Sequence, residues 1–187
     1  MHASKKKYFT VTALAVLFLL PGIIAIVIFM HPEWLSGMKT NRGTLLRSPY
    51  VLQSLEQDSK WQIYYWNPKN CEATCRESLD ILARMRLALG RKLYRVDIVW
   101  LQTRESASPD TAFSAQLANL DIHRKVIDEQ DAKRLDAMPA GSSVFIADPS
   151  NYVILAYPDA KNPKDIYLDI KHLLGVSKEK GDTRARS

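Results

Sequence analysis

Near its N-terminus the chain carries a long run of apolar positions with no polar face. Tyr8 to Met30 is a stretch of 23 residues without a charged side chain. As a helix this stretch would be about 34 Å long, and the hydrocarbon core of a bilayer is about 30 Å thick. The pattern therefore predicts a transmembrane anchor over residues 8–30.

The alternative for this run is a cleaved signal peptide, whose apolar region is usually about 7 to 15 residues long. Pro21 and Gly22 would end such a region after Leu20. The apolar run resumes in residues 23–30, however, and no cleavage site with small residues follows it. The length and the continuation favour an anchor that remains in the protein.

From residue 61 onwards the apolar positions switch between the period of strands and the period of helices. Strands that alternate with helices favour a largely parallel sheet covered on both faces. The last two strands follow each other directly, so we expect them to form an antiparallel hairpin at the edge of the sheet. The predicted strands are 61–66, 94–100, 122–127, 143–147 and 152–157, and the predicted helices are 79–89, 109–119, 129–137 and 163–174, with Asp110 as a helix N-cap.

The other segments of the chain show weak periodicity. Residues 1–7 form a short tail before the anchor, and residues 31–60 are interpreted as a linker and N-terminal extension. Residues 61–175 hold the whole strand and helix pattern and are predicted to form one α/β domain. Residues 176–187 are mixed and polar, so we expect a flexible tail there.

Composition and motifs exclude several classes of protein. The 187 residues are 47% hydrophobic and 25% charged, which is typical of a globular chain and argues against wholesale disorder. Two cysteines exclude a scaffold rich in disulfides and a four-cysteine zinc site. The sequence has no glycine-rich phosphate loop, no HExxH and no GxSxG. Basic clusters with interleaved aromatic residues are also absent, so nucleic acid is not expected as a partner.

The distribution of positive charge predicts the orientation of the anchor. Lys5, Lys6 and Lys7 lie directly before the apolar run, whereas the nearest basic residues after it are farther away. Because positive charge is retained on the cytoplasmic side, we expect the N-terminus inside and residues 31–187 outside. In a bacterium the outside compartment is the periplasm, and the anchor lies in the inner (cytoplasmic) membrane.

The two cysteines are the clearest candidates for chemistry. Cys71 and Cys75 are separated by three residues, between the first strong strand and the first strong helix. A helix N-terminus favours the thiolate form, which attacks disulfides and binds soft metals such as Cu(I). The spacing is also compatible with an inert local disulfide or with two packed thiols, although the position at a strand-to-helix junction favours a functional site.

At this point the chain resembles the Sco (SenC) copper proteins of cytochrome c oxidase assembly. The resemblance lies in the segment from Trp66 to Cys75, in the hairpin 143–157 with its Asp148-Pro149 turn, and in the single N-terminal anchor. The segment 41–46 is similar to one in small membrane proteins of oxidase assembly. The layout is shared over about residues 40–175.

The resemblance implies a thioredoxin-like α/β domain with a central mixed sheet over residues 61–175. It implies a role in cytochrome c oxidase biogenesis, with an oxidase subunit or its copper chaperones as the partner. It also implies dithiol–disulfide exchange, Cu(I) handling, or both, at Cys71 and Cys75. Cys71 would be the attacking thiol and Cys75 the resolving thiol.

The sequence departs from the family at the third copper ligand. The family's distal histidine would fall at Ala140, and the stretch 138–143 contains no histidine. The proline that thioredoxins place against their cysteines would fall near Ser142. Met138 has a soft thioether and lies two residues from the histidine position, so it is the candidate third ligand beside Cys71 and Cys75. His123 is a weaker candidate.

Three hypotheses for function follow. The first is a Sco-related protein that acts through its cysteine pair, with thiol–disulfide oxidoreductase activity. The second is a non-catalytic, membrane-tethered interaction module of oxidase assembly in which the cysteines are structural or inert. The third is a general oxidoreductase, but that class is expected to carry CxxC rather than CxxxC.

Overall fold

The computed structural model describes residues 3–31, 41–139 and 141–184. The chain divides into two units, residues 1–40 and residues 41–187. In the first unit, helix α1 (Ala3–Met30) includes the whole predicted anchor. Its segment Ala13–Met30 is long enough and apolar enough to cross a membrane. The helix continues through Pro21 rather than ending there.

The second unit is built on one mixed sheet of six strands in the order β1-β6-β5-β2-β3-β4. Strands β2, β3 and β4 run parallel, whereas β5 and β6 form an antiparallel hairpin that joins β2 on its other side. Strand β1 pairs antiparallel with β6 and forms one edge of the sheet, so the hairpin lies inside the sheet rather than at its edge, where it was expected. The strands are β1 (Thr44–Val51), β2 (Trp61–Trp66), β3 (Val96–Gln102), β4 (Ile122–Val126), β5 (Val144–Ala147) and β6 (Tyr152–Tyr157).

Helices cover both faces of this sheet. The helices are α2 (Ala73–Leu87), α3 (Thr111–Asn119), α4 (Glu129–Asp136) and α5 (Pro163–Arg184), with a 3₁₀ helix at Gly90–Arg95. Because both faces are covered, every residue of β2, β3 and β5 is buried.

The two faces form separate apolar clusters. The first core includes Cys75, Trp100 and Phe113, together with apolar residues of α2 and α5. The second core includes Trp66 and residues of α4 and of the chain after β1. The cysteine pair therefore belongs to the face covered by α2, α3 and α5.

The predicted α/β pattern is confirmed, with differences at element ends. Strand β3 begins at Val96, because Tyr94 lies in the 3₁₀ helix and is exposed. Asp110 caps α3 by accepting a hydrogen bond from Phe113 N. Helix α5 was expected to end at Leu174 but continues through Gly175 to Arg184.

Strand β1 was not predicted from the sequence, which showed little periodicity there. The pairing of β1 with β6 shifts register between Leu45 and Tyr50, and the strand contains Pro49. A bulge breaks the alternation of inward and outward side chains, and proline is tolerated because β1 is an edge strand. Both features disrupt the alternating sequence pattern from which a strand is predicted.

A buried carboxylate joins the start of this unit to its last helix. Asp169 of α5 accepts hydrogen bonds from the backbone N–H groups of Arg42 and Gly43 and from the Tyr157 hydroxyl, at 2.7–3.0 Å. Burial and this contact with Asp169 raise the pKa of Tyr157, so the hydroxyl remains a donor. These hydrogen bonds to Asp169 hold residues 42 and 43 in place where the chain enters the sheet.

Candidate functional site

The cysteine pair lies where the parallel strand β2 ends and helix α2 begins. Cys71 follows β2 by five residues, and Cys75 is the third residue of α2. The two sulfurs are joined as a disulfide, with the Cα atoms 5.1 Å apart. That separation is within the usual range for a disulfide. Ligand and catalytic groups of α/β folds commonly lie at this carboxyl edge of the sheet.

The two sulfur-bearing residues differ in exposure. Cys71 is half-buried and packs against the rim of the first core, whereas Cys75 is only 4% exposed and lies inside it. A partner molecule therefore meets Cys71 first. This is the asymmetry expected of an attacking thiol and a resolving thiol.

The first turn of α2 offers backbone donors at the site. Glu72 is the N-cap residue, and its side chain makes no capping hydrogen bond within the described residues. Helices α3 and α4 are by contrast capped by the side chains of Asp110 and Asp128. The dipole of α2 stabilises negative charge at this end of the helix, whereas the burial of Cys75 opposes it.

The loop that carries Cys71 is held by the loop that follows β3. Ser106 Oγ donates to the carbonyl of Pro68 at 2.8 Å, and Ala107 N donates to Asn70 Oδ1 at 3.1 Å. The two loops thus form one surface at the carboxyl edge of the parallel strands.

Arg76 connects the cysteine loop to helix α3. Its guanidinium lies 4.3 Å from the centre of the Phe113 ring, and its Nη2 lies 3.2 Å from Asp110 Oδ2. Its Nε donates to the carbonyl of Cys71 at 3.5 Å. The hydrogen bond from Phe113 N, and then the contact with Arg76, hold the pKa of Asp110 below its usual value.

Sequence reasoning did not single out Arg76 or its contact with Asp110. The two residues are 34 positions apart, and no spacing rule joins them. The only signal in the sequence is that a cation directly follows Cys75. A fixed positive charge beside a cysteine favours its thiolate.

Met138 and the cysteines pack against different apolar cores. Met138 packs against the second core, whereas Cys75 belongs to the first core. Its role as a third copper ligand stays a prediction. Ala140, the position of the family's histidine, lies outside the described residues.

His123 lies on β4, where its side chain is exposed and 3.8 Å from the Asp121 carboxylate. In residues 3–31, 41–139 and 141–184, no three His, Cys, Asp or Glu side chains form a cluster that would hold a metal ion. The cysteine pair itself offers two soft sulfur donors. Once reduced, such a pair suits Cu(I) rather than a hard cation.

Residues 61–177 match the model of a family described as transmembrane-like, thioredoxin-like, C-terminal domain. The chain belongs to this family. Its transmembrane-like, thioredoxin-like character agrees with the mixed sheet and with the apolar helix α1, so the predicted thioredoxin-like fold is confirmed. No curated protein matches the chain.

Solved structures with similar folds include Sco/SenC proteins and thiol–disulfide oxidoreductases. A SCO1/SenC family lipoprotein from Bacillus anthracis is 14% identical, with a TM-score of 0.48 over 68% of this chain and 98% of that one. Copper-bound ScoI from Bradyrhizobium japonicum is 13% identical, with a TM-score of 0.42 over 62% and 86%. The thioredoxin domain of a Bacteroides vulgatus thiol-disulfide oxidoreductase is 11% identical, with a TM-score of 0.44 over 69% and 99%.

Proposed function

We propose that the protein is a membrane-anchored thiol–disulfide exchange protein that acts in cytochrome c oxidase biogenesis through Cys71 and Cys75. The observation that carries the proposal is the disulfide at the N-terminus of α2, with one half-buried and one buried sulfur. Lys5–Lys7 before the apolar helix support an orientation with the domain on the periplasmic side of the inner membrane. The oxidase role, with an oxidase subunit or its copper chaperones as partner, rests on the Sco/SenC resemblance.

In the direction that oxidises this protein, its reduced cysteine pair reduces a disulfide of the partner. The Cys71 thiolate attacks one partner sulfur, a mixed disulfide forms, and the other partner sulfur leaves as a thiolate. The Cys75 thiolate then attacks Cys71 Sγ, the intramolecular disulfide closes, and the second partner sulfur leaves. Two electrons pass to the partner, and its two thiolates take protons from water.

In the reducing direction, a partner dithiol reduces the protein. A partner thiolate attacks the accessible Cys71 sulfur, and Cys75 leaves as a thiolate at the α2 N-terminus. The second partner thiolate resolves the mixed disulfide and releases Cys71. The uncapped first turn and the cation of Arg76 both stabilise the thiolates that form.

Cu(I) as cargo is the second candidate, since the reduced pair presents two soft thiolates where the loop after β2 meets helix α2. In this candidate the metal is carried to a partner and is not a resident cofactor. Met138 is the proposed third ligand, although it packs against the second core and Cys75 belongs to the first. The two thiolates alone are sufficient for a low-coordinate Cu(I) site.

Trapping with the aromatic disulfide dithiobis(nitrobenzoate) tests the exchange proposal. The full chain is reconstituted in nanodiscs, reduced, freed of reductant and mixed with the reagent. In Cys75→Ser we expect fast formation of a stable mixed disulfide at Cys71. In Cys71→Ser we expect slow reaction, because Cys75 is buried. The unsubstituted chain is expected to release two thiolates and retain no adduct.

Equal and slow reaction of both single-cysteine variants, accelerated only by denaturant, would contradict the exchange proposal. The pair would then be a structural bridge, and the protein would be a non-catalytic, membrane-tethered interaction module. Circular dichroism of each variant controls for loss of the fold.

An anaerobic Cu(I) titration against a chromophoric chelator tests the cargo candidate. We expect one equivalent of Cu(I) to bind the reduced full chain and none to bind Cys71→Ser/Cys75→Ser. A weaker affinity in Met138→Leu would support Met138 as a ligand, and an unchanged affinity would leave it as a packing residue. Absence of binding above the double-serine control would remove the cargo candidate and leave exchange untouched.

A further inference from the structure

Strand β4 is the open edge of the sheet, opposite β1. It is last in the strand order and pairs only with β3 among the described strands. Ile127 N donates inward to the carbonyl of Gln102 at 2.9 Å. Because backbone groups alternate in direction along a strand, the N–H and C=O groups of Arg124 and Val126 point away from β3. The edge can therefore accept another strand.

The side chains of this edge are basic on both faces of the sheet. Ile122 belongs to the first core, so alternation places Arg124 on the same face and His123 and Lys125 on the opposite face. Arg124 and Lys125 have no ion-pair partner among the described residues, and Arg124 and His123 are exposed. An extended segment at this edge would meet positive charge on either of its faces.

The carboxylate that directly precedes β4 is already engaged. Asp121 lies directly before β4, and its Oδ2 is 2.8 Å from Nη2 of the buried Arg86. Its other oxygen is 3.8 Å from His123. Asp121 forms no ion pair with Arg124 or Lys125.

A surface cavity beside β4 would accept a side chain from an added strand. Its volume is about 470 Å³, and it lies between helix α3 and the strand. Its lining includes Leu117, Arg124 and Asp121, the last of which is paired with Arg86. Side chains of a strand added to β4 would alternate between this cavity and the opposite face.

We propose that the β4 edge is a docking site for an extended acidic segment of a partner protein, which adds as a seventh strand. Charge decides between this occupant and a second copy of the chain. Pairing of β4 with its own copy would bring the cations of the two strands close together, which is unfavourable. Glutamate or aspartate side chains would instead pair with Arg124 on one face and Lys125 on the other.

The docking site goes beyond the proposed exchange chemistry and does not require the cysteines. Strands in a sheet are about 4.8 Å apart, so an added strand would lie about 14 Å from β2, three spacings away. The loop after β3 lies between: Ser108 and Pro109 line the cavity, and Ala107 contacts the cysteine loop. A partner held at β4 would thus be near Cys71 without covering it.

The test uses two fluorescein-labelled peptides and the full chain in nanodiscs made of neutral lipid. The acidic probe is acetyl-Thr-Glu-Val-Glu-Thr-Glu-amide, and the basic probe has lysine in place of each glutamate. By fluorescence anisotropy we expect the acidic probe to bind at least about tenfold more tightly than the basic probe, and its affinity to fall with added salt. Hydrogen exchange of the Arg124 and Val126 amides is expected to slow when the acidic probe binds.

Two variants separate charge from backbone pairing. Arg124→Glu/Lys125→Glu is expected to reverse the preference between the probes, whereas Lys161→Glu/Lys164→Glu, with the same change of charge elsewhere, should not. Val126→Pro removes one outward N–H without changing charge and is tolerated at an edge. It is expected to weaken binding several-fold, and Val126→Ala serves as its matched control.

Equal binding of the two probes, or an unchanged preference in the charge-reversed variant, would overturn the docking site. If Arg124→Glu/Lys125→Glu loses the acidic probe but Val126→Pro binds it fully, binding depends on charge alone. That result would overturn strand addition. A dimer that Val126→Pro dissociates would assign the edge to a second copy and would also overturn the proposal. Cys71→Ser/Cys75→Ser is expected to bind the acidic probe normally, which separates this outcome from any failure of exchange.

Discussion

At the residue scale, the surroundings of Gly43 explain why this position requires a glycine. A Cβ atom at this position would lie 2.5 Å from the Tyr157 ring, closer than real Cβ contacts. The backbone N–H of Gly43 also donates to Asp169 at 2.8 Å. The Tyr157 hydroxyl donates to the same carboxylate, so the ring cannot easily move aside.

Gly43→Ala is therefore expected to lower the free energy of unfolding by about 1–3 kcal/mol, the usual cost of overpacking. The measurement is urea unfolding of the full chain in detergent, followed by tryptophan fluorescence. Gly175→Ala is the matched control, because a Cβ there meets nothing within 4 Å and lies in helix α5. We expect this control to be neutral or stabilising. An equal effect of both substitutions would refute the steric argument.

Asp131 is a second buried carboxylate, and it joins α4 to the chain around β1. It accepts hydrogen bonds from the Tyr50 hydroxyl at 2.6 Å and from Ser54 N at 2.9 Å, as well as from the Ser54 hydroxyl. Burial alone would raise the pKa of Asp131, but the hydrogen bonds from Ser54 and Tyr50 outweigh burial and hold the pKa below its usual value. Burial and the contact with Asp131 raise the pKa of Tyr50 to about 12.

These shifts predict how stability depends on pH. A carboxyl whose pKa is lower in the folded state stabilises the fold above its unfolded pKa of about 3.9, and this contribution is lost as pH falls through the folded pKa. The difference in unfolding free energy between the unsubstituted chain and Asp131→Asn should thus be largest near neutral pH and shrink below about pH 4. Urea unfolding between pH 3 and pH 7 measures it. A difference independent of pH would contradict the assignment.

At the element scale, Arg76 links helix α2 to helix α3 and places a cation beside the cysteine loop. Arg76→Gln is expected to raise the pKa of the reduced Cys71 thiol and to slow its alkylation several-fold at neutral pH, because the thiolate loses a neighbouring positive charge. The measurement is the pH–rate profile of alkylation in the Cys75→Ser background. Arg84→Gln, on the same helix and paired with Asp80, is the control. An unshifted profile in Arg76→Gln would exclude this role.

Elements whose contacts lie close together in the sequence were predicted, whereas elements that depend on distant contacts were not. Strand β2 was predicted with its bounds correct, since the Asn67-Pro68 pair ends an aromatic run. The hairpin and the Asp110 cap are also local features, and both were predicted. Strand β1 was missed because it is ordered by pairing with the distant strand β6, while its bulge and Pro49 break the local pattern.

The candidate site divides in the same way. The position of Cys71 and Cys75 at a strand-to-helix junction could be read from sequence, because strand end, loop and helix start are consecutive. Which sulfur is buried, and which cation lies beside the loop, depends on packing between α2, α3 and the sheet. The open β4 edge likewise follows from strand order, which the sequence pattern did not specify.

At the scale of the whole molecule, the orientation of the anchor is a separate prediction. Only two cysteines occur in the chain, so Cys75→Ser has a single thiol at Cys71. In intact bacteria that express this variant, a membrane-impermeant maleimide should label Cys71 without lysis if the domain is periplasmic. Labelling that appears only after lysis would place the domain in the cytoplasm. Cys71→Ser/Cys75→Ser gives the background.

The proposed function requires the Cys71–Cys75 disulfide to open and close. The most direct measurement is its reduction potential, obtained by equilibrating the full chain in nanodiscs with thiol–disulfide buffers and alkylating the free thiols. Structural disulfides have potentials below about −300 mV, and exchange-active pairs lie above that value. We expect a potential above about −300 mV, with rapid reduction by a small dithiol. A potential below about −300 mV, with reduction only after unfolding, would contradict the exchange proposal and leave the pair as a structural bridge.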